Sequence, residues 1–201
     1  KPTLQGHPAQ ISKAAKLISE ARQPLIIAGR GIAISGAFTE LKELAETAQI
    51  PVVTTLLGIS CFPESHALSF GMIGMHGTAY ANMAVNAADL IVGIGMRFDD
   101  RATAKVSGFA PGGRIIHIDI DPAEIGKNVR VDVPIVGDCR SVLKEMNKLI
   151  TSTSHLEWVQ QLDQWREEHP ATIVRHCDGL LPQFVVRKIY EVTGGEATVV
   201  T

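Results

Sequence analysis

Residues suited to binding a nucleotide follow several short apolar segments of this sequence. Gly29 and Gly31 come after one such segment, and Gly95 and Arg97 come after another. Glycines at the end of a strand allow backbone N–H groups to approach phosphate oxygens, and the first turn of a helix adds its dipole. Arg97 can pair with a pyrophosphate, and Asp119, after a third segment, can accept hydrogen bonds from a ribose or an adenine. Together these residues predict a dinucleotide site.

The glycines alone do not establish such a site. The fingerprint G-x-G-x-x-G is incomplete, because Gly36 comes five residues after Gly31. Tight turns are therefore an equally good interpretation of Gly29 and Gly31.

The segment 71–78 (GMIGMHGT) precedes a predicted helix and is rich in glycine and methionine. Methionine side chains fill irregular apolar gaps and can lie against a flat ring. His76 is expected near the first turn of the helix, where the helix dipole disfavours an imidazolium. A hydrogen-bonded turn residue is therefore the alternative to a ligand-binding role for His76.

The segment 97–101 (RFDDR) places two acids between two arginines. It predicts either an exposed ion-pair cluster, which contributes little to stability, or part of a site. No third carboxylate or other ligand stands at a suitable spacing, so we predict no metal site. His117 lies inside an apolar segment and is expected in the core.

The spacing of apolar residues predicts the strands and helices that position these residues. Short continuous apolar segments at 25–28, 51–54, 90–94, 115–118 and 133–136 predict strands, and a weaker one at 68–71 predicts a sixth. Pro134 places the last strand at an edge of the sheet. Amphipathic helices are expected between the strands. Their predicted caps are Ser35, the box-like segment 121–124 (DPAE) and Asp138.

Buried strands that alternate with amphipathic helices predict a three-layer α/β/α fold. We expect a Rossmann-like, nucleotide-binding domain with a six-stranded parallel sheet and a partial C-terminal appendage. The composition becomes polar at residues 151–154 (TSTS), so we predict one domain over 1–150 and an appendage over 151–201. The apolar segment 197–201 predicts a strand cut short, and hence a fragment.

The net charge of −2 excludes a basic surface for nucleic acid or membrane lipids, and no apolar segment is long enough to span a bilayer. Cys61, Cys139 and Cys177 are far apart and form no C-x-x-C pair, so neither a disulfide framework nor a zinc site is predicted. A cytoplasmic location is expected, or an organellar one if the source is eukaryotic.

Three motifs resemble the central domain of the acetolactate (acetohydroxyacid) synthase catalytic subunit. They are residues 74–82 (GMHGTAYAN), 97–101 (RFDDR) and 117–127 (HIDIDPAEIGK), in the family's order and at similar spacing. The resemblance covers roughly residues 8–150, and residues 151–201 resemble the linker and the truncated start of the family's diphosphate-binding domain.

The resemblance implies that the parent enzyme is a transferase of branched-chain amino-acid biosynthesis. Such an enzyme condenses pyruvate with a second 2-oxo acid, pyruvate or 2-oxobutanoate, and uses thiamine diphosphate, magnesium and FAD. It also implies a homo-oligomer to which a regulatory subunit could bind. The family's activating glutamate and its metal-and-diphosphate motif have no counterpart within residues 1–201. We therefore assign no catalytic residue here and expect the chain alone to be inactive.

In this family the central domain binds FAD in an extended form. Carried over by motif, the FAD contacts fall on Gly29, Gly31, Thr55, Leu56, Leu57, Met75, His76, Gly77, Gly95, Arg97, Asp99, Asp119, Ile120 and Asp138. The substrate and inhibitor channel would be bordered by Met75, Asp100 and Arg101. Arg30 is a departure, because many relatives have glycine there.

Three alternatives compete with this assignment. The first is the central domain of another thiamine-diphosphate enzyme, of the glyoxylate carboligase or pyruvate oxidase type. The second is a sirtuin-like NAD-dependent domain, which residues 29–32 faintly resemble, although the two C-x-x-C pairs of that class are absent. The third is a ligand-free spacer, as in flavin-independent relatives.

Overall fold

Six parallel strands form one sheet in the computed structural model, which describes residues 4–171 and 179–200. In chain order the strands are β1 Pro24–Ala28, β2 Val52–Thr54, β3 Ser69–Met72, β4 Leu90–Ile94, β5 Arg114–Asp119 and β6 Val133–Val136. Their order across the sheet is β3-β2-β1-β4-β5-β6, so the order reverses between β1 and β4. The predicted fold class is confirmed, including the weak sixth strand and the edge position of β6.

Helices cover both faces of the sheet. In chain order they are α1 Pro8–Glu20, α2 Arg30–Ser35, α3 Phe38–Ala48, α4 Ala79–Ala87, α5 Asp100–Thr103, α6 Cys139–Asn147 and α7 Leu156–Glu168. Two short 3₁₀ turns lie at Leu56–Gly58 and Val106–Gly108. Among the described residues, none of the helices combines the length and the apolarity needed to cross a membrane.

Alternate residues of each strand enter two separate cores. On β1, Ile26 and Ala28 pack with α1, α3 and α6, whereas Leu25 and Ile27 pack with α4 and α7. All of these side chains are fully buried, which explains why the strands are continuously apolar rather than alternating. The small buried residues of α4, Ala81 and Ala84, allow that helix to approach the sheet closely.

Helix α7 belongs by its contacts to the same compact unit as the sheet, which extends to residue 169. Trp158 is buried, and its Nε1–H donates to the carbonyl of Pro24 at 2.9 Å. Arg166 donates to the carbonyl of Ser69 at 3.3 Å and lies over the ring of Phe70, on the edge strand β3. The polar segment 151–154 therefore does not end the compact unit. The functional division at residue 150 stays a prediction.

Residues 170–201 form a second unit, within which α8 runs from Pro182 to Thr193. Residues 196–200 have no regular secondary structure, so the strand predicted at 197–201 is not formed over its described part. Cys177 and Thr201 lie outside the described residues.

Two predicted caps are wrong. Ser35 does not begin α3. It ends the unpredicted helix α2, and its hydroxyl donates to the carbonyl of Gly31 at 2.8 Å. Residues 122–126 form turns rather than a helix, although the carboxylate of Asp121 accepts from the N–H of Ala123, as the side chain of a helix cap would. The cap predicted at Asp138 is confirmed, since Oδ1 accepts from the N–H of Ser141 at 3.0 Å.

A buried carboxylate joins α3 to α6. Glu40 accepts a hydrogen bond from Nε of Arg140 at 2.8 Å, and Nζ of Lys144 lies 3.8 Å from the same oxygen. Burial alone would raise the pKa of Glu40. The hydrogen bond from Arg140 and the charges of Arg140 and Lys144 outweigh burial and hold that pKa below its usual value.

This depressed pKa predicts a specific loss of stability in acid. The folded protein holds Glu40 ionised more strongly than the unfolded chain does, so the stabilisation is present above pH 4.5 and is lost as the pH falls further. Urea unfolding between pH 6 and pH 3, about the range in which carboxylates titrate, should therefore show a smaller acid loss for Glu40→Gln than for wild type. Glu20→Gln, at an exposed helix pair, is the control and should keep the wild-type slope. Equal slopes for all three proteins would contradict this account of Glu40.

Candidate functional site

A cleft of about 890 Å³ opens at the carboxyl ends of the strands, at the point where the strand order reverses. Open α/β sheets bind their ligands at this point, and the volume lies within the range of roughly 300–1,000 Å³ typical of ligand sites. Most of the predicted FAD contacts line it, namely Gly31, Thr55, Leu56, Leu57, Met75, His76, Gly95, Arg97, Asp99, Asp119, Ile120 and Asp138. Gly29 and Gly77 do not. Of the predicted channel residues, Met75 and Arg101 line the cleft and Asp100 does not.

Glycines bring the ends of β1 and β4 into backbone contact at the base of the cleft. The N–H of Gly29 donates to the carbonyl of Ile94 at 2.9 Å, and the N–H of Gly31 donates to that of Gly95 at 3.0 Å. A Cβ on Gly31 would lie 2.5 Å from the Cα of Gly95, and one on Gly29 would lie 2.3 Å from the carbonyl oxygen of Gly95. These two N–H groups are therefore engaged within the protein. The predicted FAD contacts of Gly29 and Gly31 stay predictions, but they would not be made by these two N–H groups.

The segment 95–99 carries three of the predicted contacts, Gly95, Arg97 and Asp99, and has an unusual backbone. Gly95 and Phe98 both have positive φ, 60° and 48°, a conformation that bulky residues rarely adopt. The buried Phe98 ring occupies the space left by the missing side chain of Gly93, where a Cβ would lie 2.4 Å from Cζ. Arg97 remains largely exposed, and its Nη2 lies 3.3 Å from Oδ2 of Asp99. Asp99 also caps α5 by accepting from the N–H of Ala102.

A second loop, residues 73–78, is fixed by Asn82 on α4. The Oδ1 of Asn82 accepts from the N–H of Gly74 at 2.9 Å, and its Nδ2 donates to the carbonyl of Gly74 at 3.0 Å. The N–H of Met75 donates to the carbonyl of Arg101 at 3.3 Å, so this loop touches α5. Met75 is 64% exposed at the cleft. His76 lines the cleft and is exposed, just ahead of the residue that caps α4.

Carboxylates lie on the side of the cleft formed by β5 and β6. Asp119 accepts from the N–H of Asp121 at 2.9 Å, and Asp138 caps α6. Cys139 is buried beside them. Burial, together with the charges of Asp119 and Asp138, raises the pKa of its thiol to about 12. The thiol therefore remains protonated near neutral pH and is a poor nucleophile.

The charges of the cleft are divided between its two sides. Arg30 and Arg97 follow β1 and β4, and Arg101 stands on α5, whereas the acids cluster after β5 and at the start of α6. An anionic group would be stabilised on the arginine side, and a hydroxyl-bearing group could donate to the carboxylates. Among the described residues there is no group of three or more His, Cys, Asp or Glu side chains that could hold a metal ion.

Sequence reasoning missed part of the lining. The additional residues are Arg30, Ile34, Ser35, Met72, Ile73, Met96, Phe98, Ala102, Asp121, Glu124 and Cys139. Asp121 and Glu124 belong to a segment whose acids were assigned to a helix cap. Ile34 is 76% exposed on a helix too short to show a periodic pattern.

The family described as "Thiamine pyrophosphate enzyme, central domain" matches residues 11–146 of this chain. The chain belongs to this family. The matched range contains all six strands and the cleft, so the fold and the site described above are those of a thiamine pyrophosphate enzyme central domain.

Acetolactate synthases are among the relatives of this chain. The probable acetolactate synthase large subunit of Methanocaldococcus jannaschii is 60% identical over 73% of this chain and 25% of its own length. The acetolactate synthase of Mycobacterium leprae is 44% identical over 100% of this chain and 33% of its own length. The acetolactate synthase isozyme 3 large subunit of Escherichia coli is 39% identical over 98% of this chain and 36% of its own length. The chain thus spans about a quarter to a third of these relatives, and the resemblance drawn from the three motifs is confirmed.

Because the backbones after β1 and β4 are in contact, adding one methyl group at Gly31 should markedly lower the stability of the fold. Gly31→Ala should lower the free energy of unfolding by about 1–3 kcal/mol or more, since the new Cβ would overlap the Gly95 backbone. Gly112→Ala is the matched control, because a Cβ there meets nothing within 4 Å; it should change stability by less than about 0.5 kcal/mol. Urea unfolding of both variants measures the difference. A Gly31→Ala protein as stable as wild type would show that the close approach is not required.

Proposed function

We propose that this chain is the FAD-binding central domain of an acetolactate synthase, which condenses pyruvate with a second 2-oxo acid. The observation that carries the proposal is that the predicted FAD contacts, all but Gly29 and Gly77, border one cleft at the switch point of the sheet. The predicted contacts follow all six strands, whose carboxyl ends lie at one edge of the sheet. A cleft of ligand size at the switch point is the feature that favours a bound ligand over six separate turns. The similarity to acetolactate synthases over the whole chain supports the same assignment.

The chemistry of the cleft fits FAD. Leu56, Leu57 and Met75 are apolar yet 58–67% exposed, so a flat apolar ring laid against them would remove their surface from water. Arg97 offers a guanidinium suited to a pyrophosphate, and Arg30 offers a second. Asp119 and its neighbours offer acceptors for ribose hydroxyls. The cleft therefore combines apolar, cationic and anionic regions, as an extended dinucleotide requires.

Bound FAD would have a structural role, since joining two 2-oxo acids with loss of carbon dioxide involves no net oxidation or reduction. The residues of this chain would bind and orient it: Arg97 by charge, Asp119 by accepting hydrogen bonds, and Met75 by contact. Met75, Asp100 and Arg101 would border the route of substrates and inhibitors. We place the thiamine diphosphate and magnesium sites outside this chain, in an enzyme that assembles as a homo-oligomer and that a regulatory subunit could bind.

Titration with FAD, followed by the change in flavin fluorescence, tests the proposal. The wild-type chain should bind FAD more tightly than NAD. Arg97→Ala should weaken FAD binding by about 1.5–3 kcal/mol, because it removes a charged donor to the ligand. Asp100→Ala should leave FAD affinity nearly unchanged, because Asp100 does not line the cleft.

Comparison of Arg97→Ala with Asp100→Ala separates a direct contact with FAD from a general effect of charge. Asp100 and Arg97 lie three residues apart and both are exposed, but their charges are opposite. A general effect of charge on the binding of an anionic ligand would therefore weaken it in Arg97→Ala and strengthen it in Asp100→Ala. Equal losses would contradict the assigned roles. A folded chain that binds no FAD at near-millimolar concentration would favour the ligand-free spacer over the proposed FAD site.

The chain alone should make no acetolactate. The reaction needs thiamine diphosphate held and activated, and protein must supply its binding, orientation and electrostatics. Within the described residues no group of three or more potential metal ligands is assembled, and the raised pKa of the Cys139 thiol makes it a poor nucleophile. Pyruvate with thiamine diphosphate, magnesium and FAD should therefore give no product above a protein-free control. Turnover by the purified chain that is abolished by Arg97→Ala would refute this expectation.

A further inference from the structure

His117 is a polar residue in an otherwise apolar strand. It is fully buried on β5 and points to the same face of the sheet as Ile115, towards the core covered by α4 and α7. Its Nε2 lies 2.7 Å from the carbonyl oxygen of Met96, and its Nδ1 is buried without a hydrogen-bond partner among the described residues. A carbonyl can only accept, so Nε2 carries the proton and donates it to Met96.

The charge state of His117 agrees with this hydrogen bond. Burial lowers the pKa of the imidazole, against the smaller opposing effects of the Met96 hydrogen bond and of the Asp119 and Glu124 carboxylates. The ring is therefore neutral near neutral pH. It is a fixed donor rather than a charge in the core.

The carbonyl that His117 holds belongs to the segment that presents Arg97 to the cleft. Gly95 and Phe98, which flank Met96 and Arg97, have positive φ. For a non-glycine residue such as Phe98, this conformation costs roughly 1–3 kcal/mol and persists only where the surroundings impose it. The Phe98 ring lies edge-on to the His117 ring, with centroids 4.8 Å apart. Asn128 donates to the carbonyl of Arg97 at 3.2 Å from the other side. His117 therefore contacts this strained segment twice, once by hydrogen bond and once through an aromatic ring.

We propose that His117 is a positioning residue for the cofactor site, which holds segment 95–99 so that Arg97 faces the cleft. The inference rests on the proposed FAD function, but it concerns a residue that does not line the cleft and would not touch FAD. Without the donor, segment 95–99 relaxes from its left-handed conformation and the guanidinium of Arg97 loses its fixed position.

Three substitutions separate this role from a general role in the core. His117→Leu removes both ring nitrogens, whereas His117→Gln keeps an N–H close to the position of Nε2. Trp158→Phe is the matched control, since it also removes a buried side-chain N–H donor to a carbonyl, at 2.9 Å, but at the amino end of β1. His117→Leu should weaken FAD binding about five- to tenfold, the effect of one hydrogen bond. His117→Gln and Trp158→Phe should stay within about threefold of wild type.

A double mutant tests whether His117 acts through Arg97. In the Arg97→Ala background, His117→Leu should change FAD affinity by less than about twofold, because the group it positions is already absent. A full five- to tenfold loss in that background would overturn the proposal, as would wild-type affinity in His117→Leu or an equal loss in His117→Gln.

Hydrogen exchange of the ligand-free chain provides a readout that does not depend on FAD. Amides of residues 95–104 should exchange about five- to tenfold faster in His117→Leu, near the wild-type rate in His117→Gln, and unchanged in Trp158→Phe. Unchanged exchange in His117→Leu would overturn the positioning role. If the wild type bound no FAD while this exchange pattern appeared, the proposed function would fail and the positioning of segment 95–99 would stand.

Discussion

The close approach of two strand ends is the constraint on which the site depends. β1 and β4 are neighbours in the sheet but far apart in sequence, and their crossovers leave in opposite directions. The chain can open a cleft between those crossovers only if the backbone after β1 lies directly against the backbone after β4. Gly31 and Gly95 permit this, with hydrogen bonds that extend the ladder one step beyond the strands. A side chain at either position would separate the walls of the cleft.

Each wall of the cleft is fixed by a residue behind it. Asn82 holds the Met75 loop through both the oxygen and the nitrogen of its side-chain amide. His117 holds the Arg97 segment through one N–H. Neither residue lines the cleft. The side chains of Asn82 and His117 fix the backbone of these loops, and the exposed side chains of the same loops are free to contact a ligand. Loops supported in this way hold a defined geometry at the edge of the sheet.

Much of the fold could be predicted from local sequence patterns. Continuous apolar segments indicated the strands, and apolar residues at helical spacing indicated the longer helices. The position of the cleft also followed, because parallel strands place the residues after their carboxyl ends together. The exceptions have physical reasons. Helix α2 is only 6 residues long, too short for a period. The hydrogen bonds of Gly29 and Gly31 depend on the register of distant strands, which no local pattern contains. In the sequence, Phe98 is only an aromatic residue between Arg97 and Asp99, and His117 is only a polar residue inside an apolar strand.

The buried thiol of Cys139 has a consequence for the chemical character of the site. A cysteine in the first turn of a helix is ordinarily made more acidic by the helix dipole, and such thiols are readily oxidised or alkylated. Here burial and two adjacent carboxylates reverse that tendency. The thiol of Cys139 is thus a weak nucleophile toward electrophiles and peroxides. Although it lines the cleft, it is poorly suited to forming a covalent bond with a molecule held there.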